Sequence, residues 1–320
     1  MALSKILPAS QEQYAGARNL IINGGFSVNQ RNGTSSFTHT ASSLTYNADR
    51  WFVYAVGANV TGQTVTGTNT NSYQAYKITG ASSVTTLNFA QRIEDLNVKH
   101  LDNEYITVSF KMYASQALSN IAVGLYFCSG NNSGYGDTSL SNNITVSSGL
   151  NTIETTFQLP SVASRGFEVA IVFGGNLPNA ATVEIADFQV EQGEQATPFE
   201  HRSYADELAR CQRYFLNYDL SDGYTGFAVG NAVSNTVGVF SHTFVVPMRS
   251  APTMSTLGLV VTDRIAYDSN LSSINIQGAT TSAIAFKTSH TSNSASGGET
   301  QQVVANSSAT NAYARFDAEL

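Results

Sequence analysis

Two cysteines, six prolines, one tryptophan and four methionines are all that 320 residues hold of these types. Cys128 and Cys211 lie far apart with no CxxC spacing, which excludes a disulfide framework and a thiolate zinc site. The expectation is two buried, reduced thiols. Charge is equally scarce: charged residues make up 12%, with 16 Lys+Arg against 23 Asp+Glu and a net charge of −7. A chain so poor in Lys and Arg has no basic footprint for a phosphate backbone, so nucleic acid is excluded as a partner. Apolar runs such as Phe167–Phe173 fall far short of the roughly 20 residues of a membrane-spanning helix, so no membrane insertion is expected. Met1–Pro8 lacks the charged and apolar regions of a secretory signal, and synthesis in a cytoplasm is expected.

Catalytic patterns are missing too. The five histidines (His39, His100, His201, His242, His290) form no HxxxH or HExxH pair, and there is no GxSxG elbow or P-loop. Paired carboxylates for glycoside hydrolysis are offered only by Glu94-Asp95, Asp102 with Glu104, and Glu184 with Asp187. Neighbours on a strand point to opposite faces, and Asp102 with Glu104 reads as a solvated turn. No residue is assigned to catalysis.

What is present is small, uncharged polarity: 37 Ser, 32 Thr and 27 Asn, beside 42% hydrophobic and 10% aromatic residues. Such side chains favour turns and strand surfaces over helix interiors. Alternation with a period of two dominates: Ile106, Val108, Phe110 and Met112; Ile121, Val123, Leu125 and Phe127; Phe167, Val169, Ile171 and Phe173. Each run reads as a strand with one face on a core, and turn clusters separate them, which predicts an all-β fold of sandwich type. In Thr182–Glu191, Val183 and Ile185 share one phase while Phe188 and Val190 take the other; a bulge near Ala186 or burial on both faces would explain it.

One short helix is expected. Ser203 followed by Asp206 forms a capping pattern, with helix-forming residues through Arg213. The organisation read from these patterns is an arm at 1–18, a β-sandwich at 19–199, a linker with the short helix at 200–216 and a second β domain at 217–320. The arm carries the apolar residues Leu3, Ile6 and Leu7 and reads either as a frayed terminus or as an attachment segment.

The string Ala17–Arg31 (ARNLIINGGFSVNQR), with Tyr46–Trp51 (YNADRW) downstream, resembles the opening of carbohydrate-binding-module-like domains in tailed-phage virion proteins. Val108–Met112, Gly130–Asp137, Phe188–Glu200, Glu207–Phe215 and Val246–Thr253 are similar to further stretches of that family, in the same order. The resemblance implies two jelly-roll-like β-sandwich domains in a virion fibre or appendage, or a decoration of the head. It implies a homo-oligomer, often a trimer, other virion proteins as partners of the arm, and host surface polysaccharide as a ligand. A virion-associated depolymerase is the enzymatic alternative. It also implies a structural calcium at Asp187 with the backbone around Asn23–Gly25.

Sugar recognition asks for aromatic faces flanked by polar groups. Tyr73 and Tyr76 in a polar stretch, and Tyr135 with Asn131 and Asp137 in a Gly-rich loop, are the candidates. Trp51, in the middle of an apolar string, reads as core.

Overall fold

The computed structural model describes residues 18–174, 177, 179–222, 225–263, 268–291, 297–306 and 311–320. Leu3, Ile6 and Leu7 of the expected arm lie outside the described residues. The chain divides into two compact units, Met1–Glu207 and Leu208–Leu320.

The first unit opens with strands β1 (Phe37–His39), β2 (Thr45–Tyr46), β3 (Phe52–Val56), β4 (Val60–Thr66), β5 (Gln74–Thr79) and β6 (Thr86–Ile93). A single helical turn, α1 (Asp95–Val98), precedes β7 (Tyr105–Ala114), β8 (Leu118–Gly130) and β9 (Ser133–Val146). Then come β10 (Gly149–Gln158), β11 (Phe167–Gly174) and β12 (Thr182–Gln192). They form two six-stranded sheets: sheet A in the order β1-β4-β5-β12-β7-β10 and sheet B in the order β2-β3-β6-β11-β8-β9. The alternating apolar residues do what their spacing demands. Ile106, Val108, Phe110 and Met112 of sheet A and Val123, Leu125, Val169 and Ile171 of sheet B meet in one buried core.

Aromatic rings fill the middle of that core. Trp51 stacks on Phe89 with centroids 4.6 Å apart and meets Phe188 edge to face. Its indole N–H donates to the Asn23 carbonyl at 3.0 Å, so the one tryptophan belongs to the core. Around it the Asn19–Trp51 region acts as a polar lock. Asn23 Nδ2 donates to the carbonyls of Val28 and Asp49, and Asn23 Oδ1 accepts from the Val28 N–H. Gly24 lies against the Phe188 carbonyl so closely that a Cβ would overlap it. These strings therefore serve the fold.

Both explanations of the phase change in β12 hold together. The pairing of β12 with β7 slips between Ala186 and Gln189, which moves Phe188 and Val190 onto the inner face already used by Val183 and Ile185. The strand is also central in its sheet, and its outward Glu184, Gln189 and Glu191 are buried as well.

Helix α2 (Tyr204–Gln212) contains the boundary between the units, and Ser203 caps it, its Oγ accepting from the Asp206 N–H at 3.2 Å. The second unit holds β13 (Phe215–Asp219), β14 (Gly226–Ser234), β15 (Val237–Thr243), β16 (Thr253–Leu257) and β17 (Leu259–Thr262). It ends with β18 (Asp268–Ala279), β19 (Ala283–His290), β20 (Thr300–Ala305) and β21 (Tyr313–Asp317). The all-β class with its short helix is what the structure shows. In this unit the layers take a particular form: β14-β15-β19-β18-β17-β20 close into a barrel, and β13-β21-β16 form a separate three-stranded sheet. Closure follows because β20 pairs with both β14 and β17, which leaves those strands no open edge. Phe227, Phe240, Phe286 and Phe316 fill the core between barrel and sheet.

Candidate ligand-binding face

The outer faces of the two sheets differ in kind. On sheet A the central strand is covered by polar straps. Asn69 in the loop after β4 donates to Glu184 at 2.9 Å, and Ser72 in the same loop donates to Asp187 at 2.7 Å. Further along β12, Thr197 donates to both oxygens of Glu191, and the Glu200 N–H donates to Gln189 Oε1. These buried carboxylates and amides are spent on closing the sheet.

Sheet B carries aromatics outward instead. Phe52 and Tyr54 on β3, Asn88, Ala90 and Arg92 on β6, Glu168, Ala170 and Val172 on β11, and Ala122, Gly124 and Tyr126 on β8 hold the phase opposite to the core residues. Register aligns them into rows across the strands. Tyr46, Phe52, Ala90, Ala170, Gly124 and Ser141 form one row. Arg92, Glu168, Tyr126 and Ser139 form the next on one side, and Tyr54, Asn88, Val172, Ala122 and Asn143 the next on the other. Ala90, Ala170 and Gly124 in the middle row are small, so large neighbours lie down over them. Phe52 packs on Ala90 and Ala170 with Tyr46, Tyr126 and Val172 around them, and a Cβ on Gly124 would touch the Tyr126 ring at 3.0 Å. Tyr46, Tyr54 and Tyr126 stay half-exposed. At strand spacings of about 4.8 Å the long row spans roughly 24 Å, open at the β2 and β9 edges.

The polar groups of this face are few. Arg92 lies over the rings of Phe52 (5.2 Å) and Tyr135 (4.4 Å) and holds Glu168 through Nε at 3.1 Å. Burial raises the Glu168 carboxyl above its ordinary value despite that partner. Tyr126 is raised by burial and then by the Glu168 charge. The buried carbonyl oxygen of Asn88 has no hydrogen-bond partner. A face of half-exposed rings beside a balanced ion pair suits a neutral ligand with apolar faces that can stack.

The residues proposed from sequence scatter over this frame. Tyr135 does reach the sheet B face, beneath Arg92, and burial with the Cys128 thiol beside it pushes its hydroxyl far up. Asn131 and Asp137 are exposed on the same β8–β9 hairpin. Tyr73, 81% exposed, sits instead at the loop that straps sheet A. Tyr76 is corrected: it is 1% exposed, stacked on Phe89, its hydroxyl bonded to His39 and Asn47, and offers no ring to a ligand.

Asp187 is also corrected. Its Oδ2 already takes the Lys111 ammonium at 2.8 Å and the Ser72 hydroxyl. The Asn23 carbonyl accepts from Trp51 Nε1 and the Gly24 carbonyl from the Phe188 N–H, so the group implied by the family does not fit a calcium ion. Asp102 and Glu104 hold loops: both oxygens of Asp102 accept from Ser164, and Glu104 accepts from Gln192. Among the described residues no group of three His, Cys, Asp or Glu is placed to hold a metal.

Tyr46, Phe52, Tyr54, Asn88, Arg92, Tyr126 and Glu168 were not singled out from the sequence. Tyr126 and Glu168 lie on the outward phase of runs whose inner phase is apolar, whereas Tyr46, Phe52, Tyr54, Asn88 and Arg92 lie on β2, β3 and β6, which the alternation pattern does not mark.

No protein-family model matches the chain, and no curated protein matches it in sequence. Among solved structures, the chain is similar to the enzymatically active domain of tailspike protein 4 of bacteriophage CBA120. That likeness has 14% identity and a TM-score of 0.39, over 55% of this chain and only 22% of the tailspike chain. The carbohydrate-binding module TmCBM61 in complex with β-1,4-galactotriose is similar at 15% identity and a TM-score of 0.36, over 55% of this chain and 100% of that one. A family 11 carbohydrate-binding module from Clostridium thermocellum in complex with a mixed-linked tetrasaccharide is similar at 16% identity and a TM-score of 0.32, over 48% and 91%. Likenesses this slight carry no functional weight.

Proposed function

We propose that the chain is a non-catalytic, glycan-adsorbing structural subunit of a phage virion appendage. In this reading the outer face of sheet B lays its rings along a host surface polysaccharide. The observation that carries the ligand class is the set of half-exposed rings Tyr46, Tyr54 and Tyr126 around the buried Phe52 on the outer face of sheet B. The virion setting is supported by the ordered motifs from Ala17 to Thr253, and so is assembly as a homo-oligomer, a trimer in the form expected here. The arm before residue 18 is the segment expected to join other virion proteins. Non-catalysis is supported by the carboxylates: Asp102, Glu184, Asp187 and Glu191 are all engaged in holding loops.

Affinity electrophoresis through purified host polysaccharide tests the reading. The wild type should be retarded without releasing reducing ends. Tyr126→Ala and Tyr54→Ala should each weaken retardation about fivefold, since a stacked ring contributes about 1 kcal/mol. Unchanged retardation in both variants, or product release that Asp102→Ala abolishes, would overturn it.

A further inference from the structure

The guanidinium of Arg202 sits where oxygen atoms converge. Nη1 donates to the Ile21 carbonyl at 2.9 Å, and Nη2 donates to the Asn19 carbonyl. Nη2 also pairs with Glu200 Oε2 at 3.1 Å, and Nη1 lies 3.6 Å from Glu207 Oε1. The side chain is 7% exposed. Two main-chain carbonyls and two carboxylates around one buried positive charge are the donor types that a hard divalent cation collects. The carboxylates are themselves held in place. Glu200 accepts from the N–H groups of Arg18 and Asn19, and Glu207 from the Asn23 N–H at 2.5 Å. Burial works to raise Glu200, but those N–H groups and the Arg202 charge outweigh it and hold the carboxyl below its ordinary value.

We infer that Arg202 is an internal substitute for a divalent cation: its guanidinium fills a calcium-type oxygen set that joins residues 18–23 to the segment Glu200–Glu207. Three features support substitution over a plain surface ion pair. Carbonyl oxygens of a loop are recruited beside the carboxylates, as in metal sites. Two acids share one cation, so the cluster without Arg202 holds an uncompensated negative charge. Asp187, the carboxylate for which a calcium was expected, is likewise taken by a side-chain cation, Lys111. The unit then needs no metal, and removing Arg202 should leave an oxygen set able to take one, with water completing the six to eight ligands of calcium.

The test uses the purified full chain after EDTA treatment. Wild-type Tm should be the same in EDTA and in millimolar CaCl2. Arg202→Ala should melt below wild type in EDTA and regain most of the loss with CaCl2, whereas the smaller, strictly octahedral Mg2+ should restore little. Terbium supplies a readout independent of melting. Trp51 bonds the Asn23 carbonyl at the end of the clamped segment, so a lanthanide in the set should show indole-sensitised emission in Arg202→Ala and none in wild type. Arg202→Lys keeps a cation in place and should show no emission. A calcium-dependent Tm in wild type would overturn the inference. So would an Arg202→Ala chain that calcium neither stabilises nor allows to fold, or emission of equal strength in all three proteins.

Discussion

His39 should make the N-terminal sandwich acid-labile. The residue is 1% exposed, and its two ring nitrogens face Thr45 Oγ1 at 2.7 Å and the Tyr76 hydroxyl at 2.8 Å. Asn47 Nδ2 donates to the Tyr76 oxygen, so the Tyr76 O–H is free to donate onward to His39 Nε2. Thr45 Oγ1 in turn donates to the Val53 carbonyl and can accept from Nδ1–H. This chain of donors is satisfied only by a neutral imidazole. Protonation would set a ring N–H against the Tyr76 O–H, and the tyrosine oxygen cannot turn without facing the Asn47 donor. Gly62 leaves the room for the contact, since a Cβ there would overlap both the Tyr76 hydroxyl and His39 Nε2.

Burial lowers the His39 pKa from 6.5 to about 4, with a hydrogen bond to Thr45 opposing the shift. The unfolded chain takes up a proton as pH falls through 6.5, whereas the folded chain refuses it until about 4. Stability is therefore complete above pH 6.5 and is lost as pH falls towards 4. About 2.5 pKa units at about 1.4 kcal/mol each give roughly 3.5 kcal/mol in full, of which about 3 kcal/mol is lost by pH 4. Urea unfolding read by the fluorescence of Trp51 reports this unit, because the only tryptophan lies in its core. Carboxylates add their own pH dependence, so the quantity to measure is the difference between wild type and His39→Gln. The wild type should lose about 3 kcal/mol more than the variant between pH 7 and pH 4. Tyr76→Phe should cost about 1–3 kcal/mol at pH 7 by stranding Nε2. Superimposable pH profiles for wild type and His39→Gln would refute the reasoning.

Gly24→Ala should cost several kcal/mol or abolish folding, as its Cβ overlaps the Phe188 carbonyl; a circular-dichroism melt within about 1 kcal/mol of wild type would contradict this. Lys111→Ala should cost only about 1 kcal/mol, because the lysine side chain is about a third exposed and Ser72 still serves Asp187; a larger loss in urea unfolding would mean that the pair is more desolvated than its exposure indicates. Removing residues 1–17 should leave a folded oligomer that no longer enters particles, because the truncation keeps the Arg18 and Asn19 bonds to Glu200; normal incorporation in a complementation assay would sink the attachment role.

The strands were legible because their inner phase is strongly apolar: Ile121, Val123, Leu125 and Phe127 can face only a core. The helix was legible from Ser203 and Asp206, a local pair that needs no tertiary context. Closure of the barrel was not, because it depends on β20 pairing with two strands far apart in sequence, and the pattern of one strand is the same in a sandwich and a barrel. Site residues suffered from the same limit in another form. Tyr73 and Tyr76 share a polar string, yet one is exposed in a loop while the other packs in the core against Phe26. Tyr54, Asn88 and Tyr126 come from three strands, and only the register brings them together.

The contrast between the sheets also accounts for the scarcity of charge. Sheet A spends its acids and cations internally, on Glu184, Asp187, Glu191 and Lys111, to tie down loops that seal its outer face. Sheet B spends few: Arg92 and Glu168 neutralise each other, Arg31 lies over the Tyr46 ring at one edge, and the rows between carry rings, small apolar side chains, amides and hydroxyls. Neutral polymers offer little to a charged surface, whose own desolvation would cost more than a hydroxyl returns. Under the proposed function, rings packed over alanine and glycine would avoid that cost, because apolar sugar faces would replace water on surfaces that gain little from it. Introducing charge into the middle row should therefore harm binding more than removing one ring. Ala170→Asp, beneath Phe52, should abolish retardation by polysaccharide altogether, whereas Ala170→Ser, which keeps the row small and neutral, should retain it. Equal binding by the two would show that the row is not the contact surface.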